Sequence, residues 1–538
     1  MDQTLGVGDP DAVVIGAGPN GLVAANVLAD AGWQVVVLEA QPDPGGAVRS
    51  AELTEPGFVH DRFSAFYPLA AASPPLRELD LEAHGLRWCR TPLALGHPTP
   101  DGRAALLSTD VDDTAAALDE YAAGDGDAWR DTYARWQRIG ADLVAALLTP
   151  FPPVRAGARL AAKLGPRHAL DFGRFALLPV RRFAGYTFKG EGGALLLTGL
   201  ALHTDLSPDS TGGALFGWLL GCLGQEHGFP IPEGGASRLT DALVRRLEAA
   251  GGEVRCDMPV MGVDVRGQRA AGVTCADGTR IGAGRAVLAD TGAPALYRDL
   301  VGEEHLPATL LDRLERFEYD HGTFKVDWAL DSPVPWKVEQ LRAAGTVHLA
   351  DSMDDLTMYA AQLATGYVPE HPALIVGQMT TADPTRSPAG TETLWAYTHV
   401  PSRVRGDAGG SISGKWDRGE ADAFADRVET EIERRAPGFR EVVRARHVMA
   451  PPDLEAADAN LVGGAINGGT AQLHPQLIFR PTPGLGRAET PIRGLYLASA
   501  SAHPGGGVHG ACGANAARAA LAAEQRRRVL SLGRDKAR

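Results

Sequence analysis

Three glycines, Gly16, Gly18 and Gly21, punctuate the segment Val13-Val14-Ile15-Gly16-Ala17-Gly18-Pro19-Asn20-Gly21 near the start of a 538-residue chain. The spacing G-x-G-x-x-G, between an apolar run and a helix-forming stretch, is one that brings backbone against a pyrophosphate. Gly16 permits a tight turn, Gly18 a close backbone approach, and Gly21 close packing of helix on strand. Pro19 and Asn20 fall in the first turn of that helix, whose free N–H groups and positive dipole end attract phosphate. Glu39 lies eighteen residues beyond Gly21, with Ala40 beside it, at the end of a second apolar run. A carboxylate there accepts hydrogen bonds from both ribose hydroxyls of an adenosine and repels a 2′-phosphate. The chemistry implied is dinucleotide binding.

Two further glycine groups bear on which dinucleotide. Gly45 and Gly46, just before Val48, supply a second close backbone approach, which a longer, extended molecule needs along its pyrophosphate and ribityl chain; FAD rather than NAD is expected. At the other end of the chain, Leu495–Ala498 reads as a buried strand, and Ser499 to His503 leads into Pro504-Gly505-Gly506-Gly507-Val508-His509-Gly510-Ala511, which opens a helix of small residues. A triple glycine is costly in chain entropy unless backbone must touch something. Set against the N1 and C2 carbonyl of a flavin, with Gly507 and Val508 nearest, such a helix start stabilises the negative charge the ring acquires on taking a hydride. His503 and His509 flank the turn and are the candidate proton donors or acceptors. For either, a structural role bonding backbone carbonyls is the alternative. Asp61 is a third candidate, for which capping or pairing with Arg62 is an equal explanation. A further glycine run, Gly463 to Gly469, lacks a preceding strand, so no resident NAD(P) site is expected and oxygen or a quinone is the expected electron acceptor.

These residues need a scaffold. Asp11–Ile15, Gly21–Ala31 and Gln34–Leu38 read as a βαβ unit. Residues from about Leu76 to Ser207 read as mostly helical, broken by prolines. An amphipathic helix, Ser237–Ala250, is followed by strands at Glu253–Arg255, Val260–Arg266, Ala271–Cys275 and, with one interruption, Arg280–Leu288. Strands at Thr323–Leu330 and Leu374–Thr380 and a charged helix, Arg418–Arg435, come later. The expected class is α/β, a Rossmann-type FAD-binding domain with an inserted α+β substrate domain. The FAD-binding domain is divided among residues 1–75, 232–295 and 451–538; residues 76–231 form a helical cap and substrate region and 296–450 the second part of the substrate domain.

Composition narrows the partners. A net charge of −14 argues against nucleic acid, which needs a basic face. Five cysteines, odd in number and never spaced as CxxC, speak against a disulfide framework, a zinc site or a redox dithiol, and no metal is expected. Met1–Pro10 has neither a basic cluster nor an apolar stretch, and no run approaches a spanning helix, so a cytoplasmic protein is expected. Between Phe151 and Lys189, however, Arg155, Arg159, Lys163, Arg167, Arg174, Arg181, Arg182 and Lys189 stand against the single acid Asp171. Interleaved with Phe, Leu and Val, they suggest peripheral contact with an anionic lipid surface, or else a solvated helix with snorkelling arginines.

In order and placement, GAGPNG, the E-x5-GG stretch and LYLASASAHPGGGVHGACG resemble the phytoene desaturase-like branch of the FAD-dependent amine oxidase superfamily. The resemblance runs nearly end to end and is sharp in the two terminal motifs. It implies FAD contacts at Gly16, Gly18, Asn20, Glu39, Gly46, Val48, Gly507 and Val508. It sets Val260 on a strand whose backbone meets the adenine, and makes Ala289–Pro294 the family's A-x-x-G-x-P turn. It also implies oxidation of a C–C or related bond in a hydrophobic small molecule, some relatives instead saturating or isomerising a double bond. Amine or alcohol oxidation and a non-catalytic lipid- or partner-binding flavoprotein are the alternatives. The chain departs from the pattern at Asp43, where many relatives have Arg, at Ser499 and Ser501, where they have Gly, and at Phe63, which replaces the glycine of D-x-G.

Overall fold

A computed structural model describes residues 8–535. The reading of Met1–Pro10 falls mostly outside the described residues. Within them, the expected βαβ unit is present as β1 (Ala12–Ile15), α1 (Pro19–Asp30) and β2 (Val35–Leu38). The helix starts two residues earlier than the glycine pattern suggests, because Pro19 sits at its first position, where a missing N–H costs nothing and the fixed φ already suits a helix.

β1 and β2 belong to a five-stranded sheet in the order Leu495–Leu497, Ala286–Ala289, β1, β2, Glu253–Arg255, every neighbour parallel. The four strands other than Glu253–Arg255 are buried at every residue, which is why their sequences are continuous apolar runs rather than alternating ones. Three stretches far apart in the chain therefore build one sheet. The C-terminal helix, Ala511–Asp535, lies along α1. The contact is backbone on backbone: a Cβ built on Gly513 would stand 1.8 Å from the Asn20 carbonyl oxygen, and one on Gly510 would stand 2.7 Å from the Val23 side chain.

A three-stranded antiparallel sheet, Val260–Arg266, Arg269–Cys275 and Arg280–Gly282, adjoins this unit. The second half is built on a seven-stranded mixed sheet. Its order is Val443–Met449, Gly322–Leu330, Glu392–Val400, Leu374–Gln378, Ala344–Leu349, Leu93–Pro98, Ala104–Ser108. The last two strands come from the stretch expected to be mostly helical. Both are largely buried, so neither shows the alternation that marks a half-exposed strand. Helices Glu191–Ala201 and Gly213–His227 pack on them. Helix Val154–Leu177 bends at Gly165 (φ 70°), ahead of Pro166, which can neither donate to the helix ladder nor fit against the preceding turn. Among the described residues no helix is long and apolar enough to cross a membrane.

The two halves are pinned by buried charge. Asp61 and Arg386 are fully buried and 2.8 Å apart, and Asp61 also accepts from the Ser50 hydroxyl at 2.9 Å and the Ala236 N–H at 2.8 Å. Its partner is therefore Arg386 and not Arg62, whose guanidinium lies over the Phe63 ring. Next to this pair, His60 Nδ1 is 3.5 Å from Asp327, which Lys325 also contacts. Removing one member of a buried pair leaves the other charge uncompensated, a loss of about 3–5 kcal/mol. We expect Arg386→Met to destabilise the protein by about that much in urea unfolding, and Asp61→Asn with Arg386→Met to recover much of it. A double variant no more stable than the single one would show that the pair is not what holds the halves together.

Candidate cofactor and active site

The glycines of the first turn meet the demands their spacing sets. Gly16 has φ +90°, and a Cβ on Gly21 would lie 2.1 Å from the Gly16 carbonyl oxygen. Gly18 is the extended N-cap of α1, with no side chain to satisfy the helix N-terminus. The cap comes instead from Asp290, at the end of the strand Ala286–Ala289, whose Oδ2 accepts from the Gly21 N–H at 2.8 Å. A Cβ on Gly18 would stand 2.6 Å from that oxygen. Gly18 thus admits a carboxylate as well as a backbone approach, a demand its spacing alone does not reveal.

The second glycine pair closes on the first. The Gly45 N–H donates to the Ala17 carbonyl at 2.9 Å, and a Cβ on Gly46 would come within 3.2 Å of Gly18 Cα. Both glycines have positive φ, +131° and +52°. Val48 is buried behind them, and Arg49 donates to the carbonyls of Gly46 (2.9 Å) and Ala457 (2.8 Å). Glu39 is buried and aimed: Oε2 accepts from the Ala17 N–H at 2.7 Å and Oε1 from the Gln41 N–H at 3.0 Å. The Met258 N–H donates to the Glu39 carbonyl at 2.8 Å, which brings Met258-Pro259-Val260 beside Glu39, while Ala40 faces solvent. The Asn20 side-chain oxygen is buried without a partner among the described residues, an orphan next to the helix start that a ligand group would satisfy. The cradle of backbone, the aimed carboxylate and the unpartnered Asn20 fit the ADP half of FAD.

The C-terminal turn arrives at the same place. Through Gly510 and Gly513, the helix that follows it rests on the first turns of α1, while Gly505, Gly506 and Gly507 lie against Arg480, Asn467 and Leu69. His509 Nδ1 accepts from the Ala511 N–H at 3.0 Å, capping the C-terminal helix, and burial pushes this histidine down to about 4. In the neutral ring the hydrogen is therefore on Nε2. His503 Nε2 bonds the Thr149 carbonyl at 3.1 Å. A carbonyl only accepts, so Nε2 carries the hydrogen and Nδ1 is left as the basic nitrogen; burial lowers this pKa too. Cys512, beneath the turn, is pushed up to about 12 by burial and is a thiol, not a nucleophile. All five cysteines are free.

Residues 20–384 match the family described as flavin containing amine oxidoreductase. The chain belongs to that family. It is 30% identical to pyridine nucleotide-disulfide oxidoreductase domain-containing protein 2 of Mus musculus, over 94% of this chain and 92% of that protein. It is 25% identical to a subunit of limonene dehydrogenase from Castellaniella defragrans, over 94% of each chain, and 27% identical to hydroxyneurosporene desaturase of Cereibacter sphaeroides, over 95% of this chain and 98% of the relative. Among solved structures it is similar in fold to cyclohexylamine oxidase from Brevibacterium oxydans, with a TM-score of 0.58, 18% identity and coverage of 96% and 100%. This member of the family is an FAD-dependent oxidoreductase with phytoene desaturase-type relatives.

The departures from the family pattern have local accounts. Ser501 donates its hydroxyl to the Gly468 carbonyl at 3.0 Å, and the Ser499 hydroxyl accepts from the Ser501 N–H at 3.2 Å. Ser501 thus ties this segment to the Gly463–Gly469 loop, the glycine run that no strand precedes. Phe63 lies under both Arg49 and Arg62. Asp43 is exposed.

Sequence reading named the Ala289–Pro294 turn but not the carboxylate of Asp290 within it, nor Asp458, the two buried acids beside Gly18 and Gly46. Asp458 Oδ2 would lie 3.5 Å from a Cβ on Gly46. Burial, with repulsion from Asp458 and Glu39 added, pushes Asp290 up to about 7, against the Gly21 N–H, which favours its anion. A pKa raised on folding means that the protonated form stabilises the fold. That contribution is whole below the unfolded value near 4 and is lost as pH rises through 7. An incoming pyrophosphate adds negative charge to the same groove. FAD affinity should therefore fall as pH rises through neutrality, and Asp290→Asn, which keeps an oxygen for the Gly21 N–H, should hold FAD more tightly in alkaline buffer and flatten that dependence. Titration of apoprotein with FAD, followed by flavin fluorescence, measures this; an unchanged pH profile in the variant would remove Asp290 from the account.

Proposed function

We propose that this FAD-dependent oxidoreductase removes two hydrogens across a C–C bond of a hydrophobic small molecule, with oxygen or a quinone taking the electrons afterwards. The observation that carries the reading is end-to-end similarity to relatives named for dehydrogenation of limonene and for hydroxyneurosporene desaturation. Bound FAD supplies the two-electron acceptor, so the protein need contribute only position, charge and a place for the departing proton. The groups at the turn suit that division. His509 and the Cys512 thiol are neutral and engaged in the backbone, while His503 offers Nδ1 as an acceptor for a proton leaving the carbon next to the one that loses hydride.

Exposed apolar and basic residues support access for an apolar substrate from a lipid surface. On helix Val154–Leu177, Val154, Leu170 and Leu177 are 73%, 79% and 55% exposed. Arg159 and Lys163 pair with Asp142, and Arg181 with Asp209 and Asp354. Among the described residues no ion pair is found for Arg155, Arg167, Arg174 or Arg182, which leaves a basic, apolar face suited to an anionic lipid surface. The loop 473–479 exposes Leu473, Leu477, Ile478 and Phe479 as well.

Anaerobic mixing of the FAD-loaded protein with polyenes, cyclic terpenes and primary amines tests the reading. Bleaching of the oxidised flavin band by an apolar alkene donor is expected; bleaching by amines alone would favour an amine oxidase. Sedimentation with anionic vesicles should be salt-sensitive and weakened several-fold by Leu170→Glu with Leu177→Glu, and equal binding by wild type and variant would dismiss the lipid face.

A further inference from the structure

Among the described residues, Arg480 is a cation without an anion against it. Its side chain is buried, the residue only 3% exposed, and every hydrogen bond found for it goes to a backbone carbonyl. Nε and Nη2 donate to Ala500 at 3.0 and 2.8 Å, Nη1 to Thr470 at 2.9 Å, and Nη2 also to Asn467 at 2.9 Å and Gly469 at 3.3 Å. Buried charges are ordinarily paired with an opposite charge. Here carbonyl dipoles from two directions do that work, one set on the 467–470 loop and one on the segment entering the C-terminal turn.

The position matters more than the pairing. A Cβ on Gly505 would stand 3.2 Å from the Arg480 guanidinium carbon, so the charge sits directly behind the triple glycine. The same loop covers the turn from the side: a Cβ on Gly506 would meet the Asn467 carbonyl oxygen at 2.7 Å. The acids that face Arg480 are Asp320 and Asp205, both occupied elsewhere. Asp320 accepts from the Ile466 N–H at 3.1 Å and from the Asn467 side chain at 2.9 Å, and burial together with Asp205 pushes it up to about 7. Asp205 accepts from Thr470 and from the Ala471 N–H at 2.8 Å. The field of Arg480 reaches the turn, where it helps to depress both His503 and His509.

We propose that Arg480 is an electrostatic positioning residue for the bound flavin, its carbonyl-held charge stabilising the electron-rich ring from behind Gly505. The inference rests on FAD occupying the turn. In the half-reaction, one C–H bond breaks with its electron pair and hydrogen going to the ring, the neighbouring C–H loses a proton to a base, and a C=C bond forms. A flavin bound there would supply the acceptor for those two electrons and one proton, and would so carry one negative charge. A fixed cation in a water-poor site lowers the energy of that charge without reorganisation.

Sulfite provides the readout, because its addition to the oxidised ring leaves the same negative charge and needs no substrate. In FAD-loaded protein, Arg480→Gln should weaken sulfite binding about tenfold, or about 1.4 kcal/mol, and lower the midpoint potential, while Arg480→Lys, which keeps the charge but not the fork of carbonyl bonds, should weaken it less than Arg480→Gln does. A merely structural role would lower FAD content and melting temperature but leave the sulfite affinity of the loaded fraction unchanged, and that result overturns the proposal. Should Arg480→Gln fail to hold FAD, Asp320→Asn serves in its place. In buffer well above pH 7, where Asp320 is ionised, removing this acid that faces Arg480 should strengthen sulfite binding, and unchanged or weaker binding there also overturns the proposal.

Discussion

The site exists because two backbones touch where side chains would keep them apart. Gly513 lies on the Asn20 carbonyl and Gly510 on Val23, so the helix after the C-terminal turn rests on the first turns of the helix that begins the nucleotide fold. With any side chain at Gly513 the two would have to part. That single approach ties the helix that the Gly505–Val508 turn opens to the helix that the Gly16–Gly21 turn opens. The edge strand Leu495–Leu497, which leads into the turn, is held to the sheet by Ala286–Ala289, the same strand whose end delivers Asp290 to the helix start. Glycine packing and strand pairing are therefore one constraint.

Charge within the cleft is divided in space. Around the nucleotide half lie Glu39, Asp290 and Asp458, with Arg49 near the last of them; around the turn lie Arg480 and two neutral histidines. The acid-lined half offers backbone N–H groups and the Glu39 carboxylate, with Arg49 engaged by the Gly46 and Ala457 carbonyls, so affinity there would come mainly from dipoles and fit. At the other half, behind Gly505, the guanidinium would face whatever negative charge a bound flavin gains. A molecule with its phosphates at one end and its redox centre at the other suits such a division.

Much of this was legible in the residues. Gly16, Gly18, Gly21 and Glu39 carry spacing that few structures other than a nucleotide-binding βαβ unit require, and the buried strands beside them are short and unbroken. The strands Leu93–Pro98 and Ala104–Ser108 were not legible, since covered faces erase the alternation of a strand and their neighbours are rich in helix-formers. The partner of Asp61 was not legible either: Arg62 is adjacent in sequence, but Arg386 arrives only through tertiary folding. Asp290 and Arg480 belong to the same class, for their surroundings are made by segments distant in the chain. The Gly463–Gly469 run lacks the strand that a nucleotide turn needs, yet it carries Asn467, which lies against Gly506.

The order of elements along the chain bears on how the protein comes to be made. β1 cannot acquire its Ala286–Ala289 neighbour until more than half the chain has left the ribosome, and the outermost strand and the helix covering α1 emerge last of all. Through most of translation the apolar face of α1 lacks its cover, and such long-range pairing is slow and exposed to aggregation. Biosynthesis of this enzyme should accordingly lean on chaperones, with flavin capture as a terminal event of maturation.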